Sequence, residues 1–186
     1  MVVSSETEMP GSEYQKRPEG NGVVFDVTPA PVPKYKYIVI MGAIACLFGL
    51  LVGPFGWLTL LPIGAFGIWF GYVRDMRPPA HRKPSSFKVS PTSVEVSGKT
   101  FPKDDIHRLI VKNGISNEVI PNVAIVNPNM GSVMGAAYRV KVSRVTNSLE
   151  LETGGRAYVL AGGMDQTTAF GLLHDVSKVL GLSIAA

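Results

Sequence analysis

His81, His107, His174 and Cys46 are the side chains with which this chain could hold a metal or form a covalent intermediate. Their placement favours neither use. Together with the aspartates and glutamates they form no set with metal-ligand spacing. Asp104-Asp105 offers two adjacent carboxylates, the raw material of acid–base chemistry, but the pair stands just ahead of a predicted strand and reads as a polar turn. His174-Asp175 are neighbours on a predicted helix and point apart. The glycine-containing stretch 129–135 lacks the GK[ST] ending of a phosphate loop. Gly162-Gly163 precedes a helix start, where an anion could bind, but a tight turn explains the two glycines as well. The expectation is a non-enzyme with no catalytic, cofactor-binding or metal-ligating residue, no cofactor and no small-molecule substrate.

What the chain does carry is an uncharged run from Tyr37 to Val73. About 20 apolar residues cross a bilayer as a helix, so this run is too long for one upright span. Gly53-Pro54-Phe55-Gly56 interrupts it, since proline lacks an amide donor and glycine permits a turn. The pattern predicts a transmembrane helical hairpin, Tyr37–Gly53 out and Phe55–Val73 back. Small residues let helices approach where no hydrophobic drive exists, and Gly42, Gly49, Gly53, Gly67 and Gly71 are the candidate packing positions. The same faces could instead serve oligomerisation. Pro62 can kink the second arm, and a re-entrant loop stays open as an alternative. The run holds no Asp, Glu, Lys, Arg or His, which argues against an ion or proton pathway.

The flanks orient this segment. Lys34 and Lys36 precede it, and Arg74, Arg77, Arg82 and Lys83 follow it. These six residues are candidate topology anchors. The positive-inside bias puts both ends in the cytoplasm, in a multi-pass arrangement in a bacterial inner membrane. The net charge of +4 over 186 residues conceals a division. The first 33 residues are acidic, and most of the basicity belongs to the flanks of the run. No basic stripe interleaved with exposed aromatics points to nucleic acid. Cys46 is the single cysteine and lies inside the run, so no disulfide can form within the chain.

Residues 1–33 are rich in Ser, Glu, Gly and Pro and read as a disordered cytoplasmic tail. Their one apolar patch is Gly22–Val27, a short strand or a partner-binding motif. The hairpin occupies 34–76 and a stiff linker 77–84. From 85 to 183 the pattern changes to period-two strands: Phe87/Val89, Val94/Val96, Thr100-Phe101, Ile106–Val111, Ala137–Val145, Ser148–Thr153 and Arg156–Ala161. Asp165–Leu180 reads as one amphipathic helix, capped by Asp165 and ended by Gly181. The predicted fold class is α+β: a membrane hairpin followed by a mainly antiparallel β barrel closed by a C-terminal helix.

Phe87-Lys88-Val89-Ser90 and the stretch Val94 to Ile106, with its Pro102-Lys103-Asp104-Asp105-Ile106 turn, resemble the opening of bacterial pleckstrin-homology-like (PH-like) domains. Tyr158 to Asp165 and the helix after it resemble the last strand and closing helix of those domains. The resemblance covers most of 85–183 and implies a small protein-interaction barrel. Inositide binding does not carry over, because Lys88 and Lys99 alone are basic around the first strand pair. Arg139, Lys141, Arg144 and Arg156 read as solvated. The long connection from Asn113 to Gly135 has apolar content, and Val119, Ile120, Met130 and Met134 mark it as a candidate partner loop. An extra strand packed on the barrel is the competing reading. Expected partners are membrane lipids and a protein, including further copies of the chain. The alternative is an accessory subunit of a larger envelope, secretion or conjugative transfer complex, acting through its hairpin.

Overall fold

The computed structural model of the chain describes residues 11–34, 36–72, 83–114, 138 and 140–182. The chain divides into two compact units. One joins Met1–Pro31 to Arg77–Ala186, and the other is Val32–Met76.

The first unit is built on two antiparallel sheets. Strands β1 (Glu13–Glu19), β2 (Gly22–Thr28), β3 (Ser85–Val89), β4 (Ser93–Val96) and β5 (Lys99–Pro102) form the larger sheet in sequence order. A single 3-10 turn, Lys103–Asp105, leads to β6 (Ile106–Asn113), β7 (Asn147–Thr153) and β8 (Arg156–Met164), which form the smaller one. The turns follow local chemistry. Ser97 and Gly98 have φ of 49° and 75°, and Gly154 and Gly155 have 54° and 74°. These are the left-handed pairs that join twisted antiparallel strands in two residues. The Ser90 hydroxyl accepts hydrogen bonds from the Thr92 and Ser93 amides and so shapes the β3–β4 turn.

Helix α3 (Gln166–Leu180) closes this unit. The Asp165 side chain caps it by accepting from the Thr168 amide, and Gly181 ends it in the left-handed conformation. Its Ala169, Leu172, Val176 and Leu180 enter a core with Phe25, Phe87, Val89 and Val94 of the large sheet and Leu149, Leu151 and Leu160 of the small one. Phe25 and Phe87 are direct cross-strand partners, and their rings stack at 5.4 Å.

Three expectations are corrected. First, among the described residues the two sheets do not join into a closed barrel. They approach at the Ala30 amide, which donates to the Gly163 carbonyl at 2.8 Å, and at Phe101 and Tyr158, whose rings lie 4.7 Å apart. Second, the supposed disordered tail contains β1 and β2, and β2 pairs with β3 from Val23↔Val89 to Val27↔Ser85. Gly22–Val27 finds its hydrophobic partners in strands far along the chain. The polar sequence before it is an edge strand, exposed at every position but Tyr14. Third, the stretch 140–143 is helical, where Ala137–Val145 reads as a strand. Val142 and Val145, three apart, are the buried pair, whereas Val140 faces out. The Thr146 hydroxyl donates back to the Val142 carbonyl and stabilises that turn.

The second unit contains α1 (Lys36–Leu51) and α2 (Pro54–Tyr72). Gly53 separates them with φ of +78°, and Pro54 opens α2 at the position where its missing amide costs least.

Candidate functional site

Sixteen residues of α1 and nineteen of α2 contain no Asp or Glu, and Lys36 is their one charged residue. At 1.5 Å per residue α2 is about 28 Å long, close to the thickness of bilayer hydrocarbon. It is long and apolar enough to cross a membrane, while α1 falls short of that length. Pro62 lies inside α2 without ending it. The Thr59 hydroxyl donates to the Phe55 carbonyl and so keeps its polar atom partnered within the helix.

Glycines set how the two helices meet. A Cβ on Gly56 would lie 2.5 Å from the Gly49 carbonyl oxygen. One on Gly64 would lie 2.5 Å from the Gly42 oxygen and 2.6 Å from Cys46 Sγ. The pairing runs antiparallel, with Gly49 against Gly56 near the turn and Gly42 against Gly64 about two turns further on. Of the glycines expected to pack, Gly42 and Gly49 lie at this contact. Gly67 makes an ordinary contact at 3.5 Å with the Gly42 Cα, and Gly71 is buried. Gly53 serves the turn instead, with open space where a Cβ would be. Gly56 and Gly64 were not among the expected positions. Their signal is a two-turn spacing, eight residues in α2 facing seven in α1, which a search for glycines four apart passes over.

The other faces carry bulk. Leu58 is 80% exposed, Phe55 and Leu51 75%, and Phe66, Leu47, Met41 and Trp57 are more than half exposed. These bulky side chains leave much of the apolar surface of the helix pair uncovered. At the open end of the pair the Lys34 ammonium sits 4.7 Å from the centre of the Tyr72 ring. Lys83 is exposed. Arg74, Arg77 and Arg82 lie outside the described residues, as do Val119, Ile120, Met130 and Met134 of the candidate partner loop.

The β unit contains a second constellation, built on two carboxylates, the Asp165 cap of α3 and Asp175 within it. Asp165 Oδ2 accepts from the Ser12 amide at 3.0 Å and from the Ser12 hydroxyl at 2.7 Å. The Thr168 hydroxyl in turn donates to the Ser12 carbonyl. Burial pushes the Asp165 pKa up, but the donors from Thr168 and Ser12 outweigh it and hold the carboxyl below its ordinary value. Nearly three turns along, Asp175 Oδ2 accepts from the Tyr14 hydroxyl at 2.5 Å and from the Lys16 ammonium at 2.8 Å. Here too burial opposes ionisation, and the Lys16 and Tyr14 donors prevail. Burial and the bond to Asp175 raise the Tyr14 pKa to about 12. Gly171 lets β1 come this close, since a Cβ there would lie 3.3 Å from the Tyr14 oxygen. Sequence reading finds Asp165 as a cap but leaves Asp175 on the surface.

His107, His174, Asp104 and Asp105 are all exposed, and His81 lies outside the described residues. Among the described residues no group of three or more His, Cys, Asp or Glu could hold a metal ion. Comparison with protein-family models, with curated proteins and with solved structures returns no match. The functional reading therefore stands on the chain's own residues.

Proposed function

We propose that this protein is a non-enzymatic membrane tether. In this reading α1 and α2 form a two-pass hairpin in a bacterial inner membrane. It holds the PH-like β unit on the cytoplasmic side, where the unit binds a protein partner or further copies of itself. The observation that carries the reading is the pairing of β2 with β3. These strands flank the helix pair in sequence and share one ladder. A bilayer cannot run between hydrogen-bonded neighbours of a water-soluble sheet. The chain must then cross an even number of times between Thr28 and Ser85, so a spanning α2 requires α1 to return it. The basic flanks favour the cytoplasm for both ends.

Confinement to a thin layer beside the membrane raises effective concentration, so weak contacts of the β unit become productive. The tether is favoured over an oligomerising hairpin because Gly42, Gly49, Gly56 and Gly64 face each other inside the pair. What remains outside is bulky aliphatic and aromatic surface, suited to lipid.

Cysteine accessibility tests the topology. In a Cys46→Ala background, single cysteines replace Gln15, Thr100 and Val52, all exposed. A membrane-impermeant maleimide applied to intact cells is expected to label Val52→Cys and to spare the other two. Labelling of Gln15→Cys and Thr100→Cys from opposite sides overturns the proposal. Protection of Val52→Cys from both sides replaces two crossings by a re-entrant loop.

A further inference from the structure

From Val32 to Tyr72 the sequence contains Lys34 and Lys36 and no carboxylate. Both lysines stand at the N-terminal end of α1, where the helix dipole is positive and a cation is disfavoured. Neither forms an ion pair with another described residue, whereas Lys16, Lys88 and Lys112 of the β unit each face a carboxylate. Lys34 is drawn over the Tyr72 ring, which carries its charge across to the end of α2. One end of an otherwise neutral apolar helix pair therefore concentrates positive charge beside tyrosines. Tyr37 and Tyr72 are both about half exposed there, and tyrosine is a side chain that settles at the headgroup level of a bilayer.

We infer that this end of the helix pair is a docking surface for anionic phospholipid headgroups, with Lys34 and Lys36 as the phosphate-binding cations and Tyr72 as the ring that positions Lys34. The charge complementarity selects the partner. The counter-anion has to lie at the boundary between apolar and aqueous surroundings, which is where a lipid phosphate sits and a soluble acidic protein does not. The inference rests on the membrane reading above and deepens it. An ammonium near an anionic membrane surface contributes about a five-fold gain in binding, screened by salt.

The full chain is purified in neutral detergent, and its thermal unfolding is followed by tryptophan fluorescence. It is titrated with phosphatidylglycerol, phosphatidylcholine or inorganic phosphate. Phosphatidylglycerol is expected to raise the midpoint saturably, and the other two are not. Lys34→Gln with Lys36→Gln is expected to weaken the phosphatidylglycerol response by about five-fold per lysine. Lys34→Arg with Lys36→Arg should retain it, as should the control Lys99→Gln. Equal responses to the two lipids, or an unchanged response in the double glutamine variant, overturn the inference. A response to phosphate alone reassigns the site to a free anion and also overturns it. The lipid comparison on the unaltered protein decides even if the glutamine variant fails to fold. An alkaline carbonate wash of native membranes separates the two readings. Protein released by the wash defeats membrane insertion itself, while retained protein without lipid preference defeats only the headgroup site.

Discussion

The hydroxyl of Tyr14 on β1 donates to the carboxylate of Asp175 on α3 across 2.5 Å, although the two residues are 161 positions apart. With Ser12 and Asp165 it fastens β1 to α3. The helix pair lies between them in sequence, so the β unit is assembled from both sides of an insertion.

Loss of this bond should loosen β1 selectively. A hydrogen bond to a charged group contributes about 1.5–3 kcal/mol, and the partial exposure of Asp175 puts Tyr14→Phe near about 1 kcal/mol. Hydrogen exchange of the β1 and β2 amides is expected to accelerate while the β7 amides stay protected. Lys16→Gln should do less, because its side chain is 52% exposed. Equal acceleration in both sheets would contradict a local fastening.

Asp165 has two tasks, and its variants should separate them. Ser12→Ala removes the hydroxyl bonds to the first segment and leaves the cap. Asp165→Ala removes both and is expected to cost about 1–2 kcal/mol from the cap alone. Denaturant unfolding in detergent should rank Asp165→Ala below Ser12→Ala, and Ser12→Ala below the unaltered protein.

The fastening is pH-dependent in two windows of opposite sign. Asp165 and Asp175 have folded-state pKa values below the ordinary 3.8. Their contribution is present above that value and is lost as pH falls through the depressed values. Tyr14 is raised from 10.0 to about 12. Its contribution is complete below 10.0 and is lost as pH rises toward about 12. Exchange protection of β1 should be greatest between these limits. Tyr14→Phe should abolish this alkaline loss and leave the acid loss that belongs to Asp165 and to the Lys16–Asp175 pair.

Substitutions at the glycine contact should follow the space each Cβ meets. Gly56→Ala and Gly64→Ala place an atom 2.5 Å from a backbone oxygen that cannot swing aside. About 1–3 kcal/mol of destabilisation is expected for such overpacking. Gly67→Ala, at 3.5 Å, should be tolerated. Gly53→Ala meets no atom, but a side chain at φ of +78° is strained and should cost about 1 kcal/mol. Melting in detergent micelles gives the order, and a milder loss at Gly64 than at Gly67 would refute this packing.

Much of the fold is readable locally. Gly53-Pro54 stops one helix and starts the next, Gly154-Gly155 turns β7 into β8, and Asp165 and Gly181 bound α3. Each depends on a few adjacent residues whose backbone preferences act without distant help. The β1–β2 hairpin has such a signal too, the Gly20-Asn21 pair between two strand-length segments. Polar composition masked it, because an edge strand exposes nearly all its side chains.

The sequence by itself determined that one stretch of this chain is uncharged, is apolar at membrane length, is broken at Gly53-Pro54 and is flanked by cations. Those properties reside in composition and in single-residue backbone chemistry. Only the tertiary structure decided that Gly22–Val27 belongs beside Phe87 and Val89, that the described strands divide into two sheets, and that Gly56 and Gly64 meet Gly49 and Gly42. Strand pairing and helix contact depend on which surfaces come together across long stretches of chain. A hydrophobic strand or a glycine does not specify its partner until the whole core competes for it.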